Sequence, residues 1–200
     1  MLMATKLMRI FDPAFGHPRG LAGRLGGAFM AVGNAEQERW AVRAAQVSAG
    51  ENVLVVGHGP GVGLRLLAPA LAPGGRIIGV DPSPTMRKMA ASRCARLLAD
   101  GSLELRKGGA EQTGCAPASM DAAISVNNVM MWDRPAGLAE LCRVLRPGGR
   151  LVITVHRHVL EATPERLCAE AEEAGFDPIE MSVRPRRLKG PAIELSARRP

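Results

Sequence analysis

Residues Asn52 to Leu64, NVLVVGHGPGVGL, decide how this chain is read. Asn52 to Val56 is a short run rich in valine, with apolar residues on both faces. That pattern suits the buried central strand of a parallel sheet. The strand runs directly into Gly57-His58-Gly59-Pro60-Gly61, and a helix opens near Val62. A sharp strand-to-helix turn needs backbone conformations that a side chain would block. Glycines also let a ligand approach the backbone, and the helix N-terminus presents unpaired amides beside it.

Working outward, a second strand, Arg76 to Val80, ends at Asp81, 24 residues after Gly57. A carboxylate at the end of the neighbouring strand can accept two hydrogen bonds from a ribose diol. Pro82-Ser83-Pro84 then starts a helix with Met86, Met89 and Ala90 facing inward. Leu103 to Arg106 reads as a third strand, followed by Gly108-Gly109-Ala110-Glu111. Met120 to Val126 is the fourth, and it ends in Asn127-Asn128-Val129-Met130-Met131-Trp132. A helix over Pro135 to Leu145 precedes the turn Arg146 to Arg150 and the strand Leu151 to Val155. That strand ends at His156-Arg157-His158. Thr163 caps a helix over Pro164 to Ala174, and Gly175 stops it. Phe176 to Val183 and Ala192 to Ala197 close the chain as two strands joined by a basic loop. Strands alternating with helices in this way imply a doubly wound, mostly parallel sheet. In such sheets ligands sit outside the carboxyl ends of the strands, where Gly57, Asp81, Gly109, Asn127 and His156 all fall.

Glycine spacing narrows the ligand. A dinucleotide turn wants G-x-G-x-x-G, but the third position is Val62 counted from Gly57 and Leu64 counted from Gly59. The spacing present is G-x-G-x-G. With GVDPSPTM around Asp81 and LRPGGRLVIT near the fifth strand, the chain resembles the class I S-adenosylmethionine-dependent methyltransferases. Within them it looks like the broad group containing the ubiquinone and menaquinone methyltransferases. The resemblance covers about residues 50 to 200. It implies a Rossmann-like, seven-stranded sheet, mostly parallel with one antiparallel strand, and S-adenosyl-L-methionine as cofactor, with S-adenosyl-L-homocysteine as product. The cofactor residues it implies are Gly57, His58 (through its backbone), Gly59, Gly61, Asp81, Pro82, Met86, Gly109, Ala110, Glu111, Asn127 and Asn128.

Residues 10 to 33 are irregular and then apolar, with a short helix read from Leu21 to Val32. By resemblance this segment is a helical lid. Asn34 is the expected N-cap of a helix over Glu36 to Val47 that buries Trp40 and Val47. The chain thus reads as one domain, residues 1–48 as N-terminal lid and arm and 49–200 as cofactor-binding core.

Composition excludes several classes. Apolar residues make up 46%, too many for wholesale disorder. The longest apolar runs are about six residues, against roughly 20 for a membrane span. Cys94, Cys115, Cys142 and Cys168 have no CxxC pairing, so reduced thiols in a cytoplasmic protein and no metal site are expected. The net charge is +7, and 22 of 26 basic residues are Arg. The densest basic stretch, Arg184 to Lys189, reads as a solvated loop. It lacks the interleaved aromatics of a single-strand reader, which argues against nucleic acid without excluding it. A homodimer remains open.

Two positions depart from the family pattern: Val55 and Gly109 stand where acids are usual. Methyl transfer needs in-line positioning, and a general base only when the acceptor keeps its proton. His156 and His17 are the first candidate bases, with Asp133 and His158 behind them. Phe29, Met131 and Trp132 are candidate acceptor-binding residues. The short apolar lid and absence of a large insertion favour a small, partly apolar acceptor. Nucleic acid or peptide methylation and a binding-only descendant of the fold are the alternatives.

Overall fold

The computed structural model describes residues 33–186 and 190–200. The lid, with His17 and Phe29, lies outside them apart from Gly33.

The central strand is β1 (Asn52–Val56), and its side chains alternate between two cores. Leu54 and Val56 point into one core and Val53 and Val55 into the other. Both faces are therefore apolar, as a central parallel strand requires. β1 is followed by α2 (Val62–Leu71), and α1 (Ala35–Ala44) precedes it. Then come β2 (Arg76–Val80), α3 (Pro84–Arg93), the short α4 (Ala95–Ala99) and β3 (Leu103–Arg106). β4 (Met120–Val126) leads through a 3-10 turn, Val129–Met131, into α5 (Arg134–Val144) and β5 (Leu145–His156). α6 (Pro164–Glu173), β6 (Ile179–Arg184) and β7 (Ala192–Arg198) complete the order.

The seven strands lie in the order β3-β2-β1-β4-β5-β7-β6. β1 pairs in parallel with β2 and β4, while β7 runs antiparallel to both β5 and β6. β7 is thus the one antiparallel strand, as expected. The chain leaves β1 toward β2 and returns on the other side to β4, which opens a crevice at the carboxyl end of β1. Helices α3, α5 and α6 start as their sequences dictate. Ser83, Asp133 and Thr163 accept hydrogen bonds from the amides of Met86, Ala136 and Arg166, with a proline in each first turn.

Several local expectations are corrected. β5 begins at Leu145 rather than Leu151. Leu145 pairs with Met120, and the intervening turn pairs with the C-terminus: Gly148 N–H donates to Arg199 O at 2.7 Å, and Arg199 N–H to Gly149 O at 2.9 Å. β6 starts at Ile179 because Phe176 leaves the strand line to fill the core. On α3, Met86 and Ala90 are buried but Met89 is only half-buried. α1 buries Gln37 and Ala41 and ends before Val47, and Asn34 contributes its carbonyl rather than a side-chain cap. Trp40 is half-buried and stacks under the Arg184 guanidinium.

Candidate active site

Among the described residues, four strand ends and the helices beside them line a cavity of about 450 Å³. β1 contributes Val56, Gly57, Gly59 and Pro60. β2 contributes Asp81, Pro82 and Ser83, and α3 adds Met86. The loop after β3 supplies Gly108 to Gln112, and the end of β4 supplies Val126 to Asn128 with Met131 and Trp132. Helix α1 covers the cavity with Asn34 and Glu38.

The glycine turn is built by its neighbours. Gly57, Gly59 and Gly61 have φ of 62°, 53° and 85°, in the left-handed region that favours glycine. A Cβ on Gly57 would sit 2.5 Å from Asn128 Cγ. That close approach lets Asn128 Nδ2 donate to Val56 O at 2.8 Å. Asn128 Oδ1 accepts from Trp132 Nε1 at 2.7 Å and from Ser125 Oγ at 3.0 Å. Asn128 therefore ties the ends of β1 and β4 together and aims the Trp132 ring at the cavity.

Asp81 is 5% exposed. Its Oδ2 accepts from Gly59 N–H at 2.9 Å and its Oδ1 from Ser83 N–H at 2.8 Å. Each oxygen keeps a second lone pair for a ligand hydroxyl. Burial pushes this carboxyl up, while His58, the two amides and Arg87 pull it back. His58 does not line the cavity. Its ring is buried behind the turn, where Gly79 leaves room for it, and Nδ1–H donates to Gly59 O at 2.8 Å. Burial pushes the imidazole down, and the neighbouring Asp81 carboxylate pulls it back. His58 thus supports the turn from beneath.

At the β3 end, Gly109 makes room for Glu111. Glu111 Oε2 lies 2.9 Å from where a Gly109 Cβ would be, and Oε1 accepts from Asp133 N–H at 2.8 Å. Glu111 thus presents a carboxylate at this end of the cavity. Asp133 itself caps α5.

His156 is placed differently from a cavity base. It does not line the cavity, and its Nδ1 accepts from Arg186 Nη1 at 2.8 Å. Its ring stacks on His158 with centroids 5.3 Å apart. Arg186 also donates to Gln37 Oε1 at 3.0 Å and Gly33 O at 3.1 Å, and pairs with Glu36 at 3.2 Å. The Arg186 side chain is only 4% exposed, so this part of the basic loop is folded inward rather than solvated. Gln37 completes the clasp by exchanging amide hydrogen bonds with Asn127, at 2.9 and 3.3 Å. Asn127, with φ of 55°, also accepts from His156 N–H at 2.9 Å. The clasp fixes α1 over the strand ends. Gln37, Glu38 and Arg186 were not legible as site residues, because nothing in their local sequence reports contacts 90 to 150 residues away.

The cavity suits a nucleoside bearing a charged tail: an open glycine turn, a buried carboxylate one strand over and, beyond it, Met86, Gly109 and Ala110 with Glu111. Residues 54–153 match the family model described as a methyltransferase domain. The chain belongs to the S-adenosylmethionine-dependent methyltransferases. It is 31% identical over 173 residues to YdaC, an uncharacterized methyltransferase of Bacillus subtilis. That match covers 80% of this chain and 90% of YdaC. It is 33% identical over 132 residues to demethylmenaquinone methyltransferase of Tropheryma whipplei, covering 62% of this chain and 50% of that one. This methyltransferase thus spans nearly all of one relative but half of the other. Among solved structures it resembles Haemonchus contortus phosphoethanolamine N-methyltransferase 2, with a TM-score of 0.70. At 18% identity over 82% of this chain and 52% of that one, the likeness is one of fold. Among the described residues, no helix is long and apolar enough to cross a membrane, and no cluster could hold a metal ion.

Proposed function

We propose that this methyltransferase acts on a small, partly apolar metabolite. The observation that carries this reading is the acceptor side of the cavity. Met131, 46% exposed, and Trp132 present apolar surface there, within an enclosure near the lower end of the roughly 300–1,000 Å³ seen for small-ligand sites. Inward folding of Arg186 removes one cation from the basic surface that a nucleic-acid reading would use.

When bound, S-adenosyl-L-methionine supplies a methyl group on a cationic sulfur. Asp81 is suited to accept the ribose hydroxyls, and Pro82, Met86, Gly109 and Ala110 to bracket the base, with Glu111 at its edge. The glycine turn and Asn127 would hold the methionyl portion. The described lining residues that ionise are Glu38, Asp81 and Glu111, and no histidine is among them. What the described residues contribute is positioning and exclusion of water, and an acceptor that is already deprotonated or a neutral amine needs nothing more. For an acceptor that keeps its proton, His17 in the N-terminal segment is the base to test. A cytoplasmic location accords with four free thiols, two of them buried.

The test is a product screen: release of S-adenosyl-L-homocysteine with panels of phenols, carboxylic acids, amines and quinone-like lipids, beside RNA, DNA and peptides. Turnover is expected with at least one small apolar class and none of the polymers. Turnover confined to a polymer would overturn the reading.

A further inference from the structure

Among the described residues three carboxylates line the cavity, and one is unexplained. Asp81 accepts from two amides, and Glu111 from the amide of Asp133. Glu38 has no hydrogen-bond or ion-pair partner among the described residues, yet it faces the cavity. Its carboxyl rests on the first turn of α2, where Gly63 leaves the space that a Cβ would take from Glu38 Oε2. α1 packs against α2, β4 and β5, and the Arg186 clasp holds it there. Arg186 is occupied by Glu36, Gln37, His156 and Gly33, so it is not the partner of Glu38.

Sheet order says which part of the ligand meets this carboxyl. The strand ends along the cavity run β3, β2, β1, β4. A nucleoside with its ribose at Asp81, on β2, lays one arm toward β3 and the other across β1 toward β4. Gly108 to Gln112 line the cavity at the β3 end, where the base would lie. The amino-acid arm then crosses the glycine turn and reaches the space beneath α1. That arm carries one cation besides the sulfonium, its α-ammonium group.

We propose that Glu38 binds the α-ammonium group of the cofactor's methionyl portion. Carboxylate and ammonium form a charge-assisted hydrogen bond, and enclosure strengthens it. Enclosure also explains the carboxyl's present state, since burial pushes it up to about 8. An opposite charge restores the ionised form. The assignment rests on the cavity being the S-adenosylmethionine site.

The experiment is a calorimetric cycle of two ligands on two proteins. The ligands are S-adenosyl-L-homocysteine and its desamino analogue, in which hydrogen replaces the α-ammonium. The proteins are wild type and Glu38→Gln, a change of charge with little change of shape. Wild type is expected to prefer the amino ligand by ~10-fold or more, the size of one charge-assisted bond. In Glu38→Gln that preference falls to within ~3-fold, while the desamino analogue binds both proteins alike. Retained binding of the analogue also reports that the variant is folded. The same preference in both proteins, or equal loss of both ligands, would overturn the assignment. Failure of wild type to bind either ligand would instead remove the cofactor site on which it depends.

Discussion

Asp81→Ala is expected to weaken S-adenosyl-L-homocysteine binding by ~100-fold or more. Hydrogen bonds to a charged group contribute about 1.5–3 kcal/mol each, and a ribose diol makes two. About 1.4 kcal/mol is a factor of ten, so two such bonds exceed two decades even at the low end. The change also removes the acceptor for the amides of Gly59 and Ser83, loosening the glycine turn that the ligand crosses. Asp81→Asn separates the two effects, because it keeps one oxygen for an amide and loses the charge. Its loss should be intermediate, ~10-fold. The check is calorimetry on all three proteins, with far-ultraviolet circular dichroism to confirm that each is folded. Affinity within ~3-fold of wild type for the alanine variant would mean that the ribose lies elsewhere.

Gly57→Ala should be the most destabilising single methyl addition in the turn. The residue sits at φ of 62°, where a side chain costs about 1–2 kcal/mol. The new Cβ also displaces Asn128, whose amide holds Val56 O, Ser125 and Trp132. Each buried hydrogen bond lost adds about 1 kcal/mol. Together these reach about 4–5 kcal/mol, or roughly 8–20 °C in melting temperature for a chain of this size. Gly148→Ala is the matched control, since Gly148 has φ of 77° but open space where the Cβ would go. It carries the backbone cost alone. Thermal unfolding of both variants tests the argument, and equal melting temperatures would show that the Asn128 contact is not restrictive.

The parts of the fold legible in sequence were those that local chemistry writes down. β1 announced itself by apolar residues on both faces, and α3 and α6 by caps and first-turn prolines. Asp81 could be placed because a residue at a strand end must lie beside the neighbouring strand's turn. Contacts decided by distant chain were not legible. Leu145 joins β5 only because Met120 and Arg199 hold its turn. His156 looked like a base at a strand end, but its orientation belongs to Arg186, 30 residues on. Arg186 looked solvated because a basic run usually is. Its burial follows from the carbonyl of Gly33, 153 residues earlier, and the amide of Gln37. Gly109 lacks the family's acid, but Glu111 two residues on presents a carboxylate to the same end of the cavity. The loss of an acid at Val55 is plainer, for that side chain packs in the core with Val53. Glu38 returns a carboxylate to the cavity from α1, a helix whose position no periodicity reveals.

The most direct test of the central claim is calorimetric titration of the unmodified protein with S-adenosyl-L-methionine and S-adenosyl-L-homocysteine. One site per chain with micromolar affinity is the expected result for a cleft with this lining. No measurable heat from either ligand at millimolar concentration would contradict it, and the cavity over β1 would then need a different occupant.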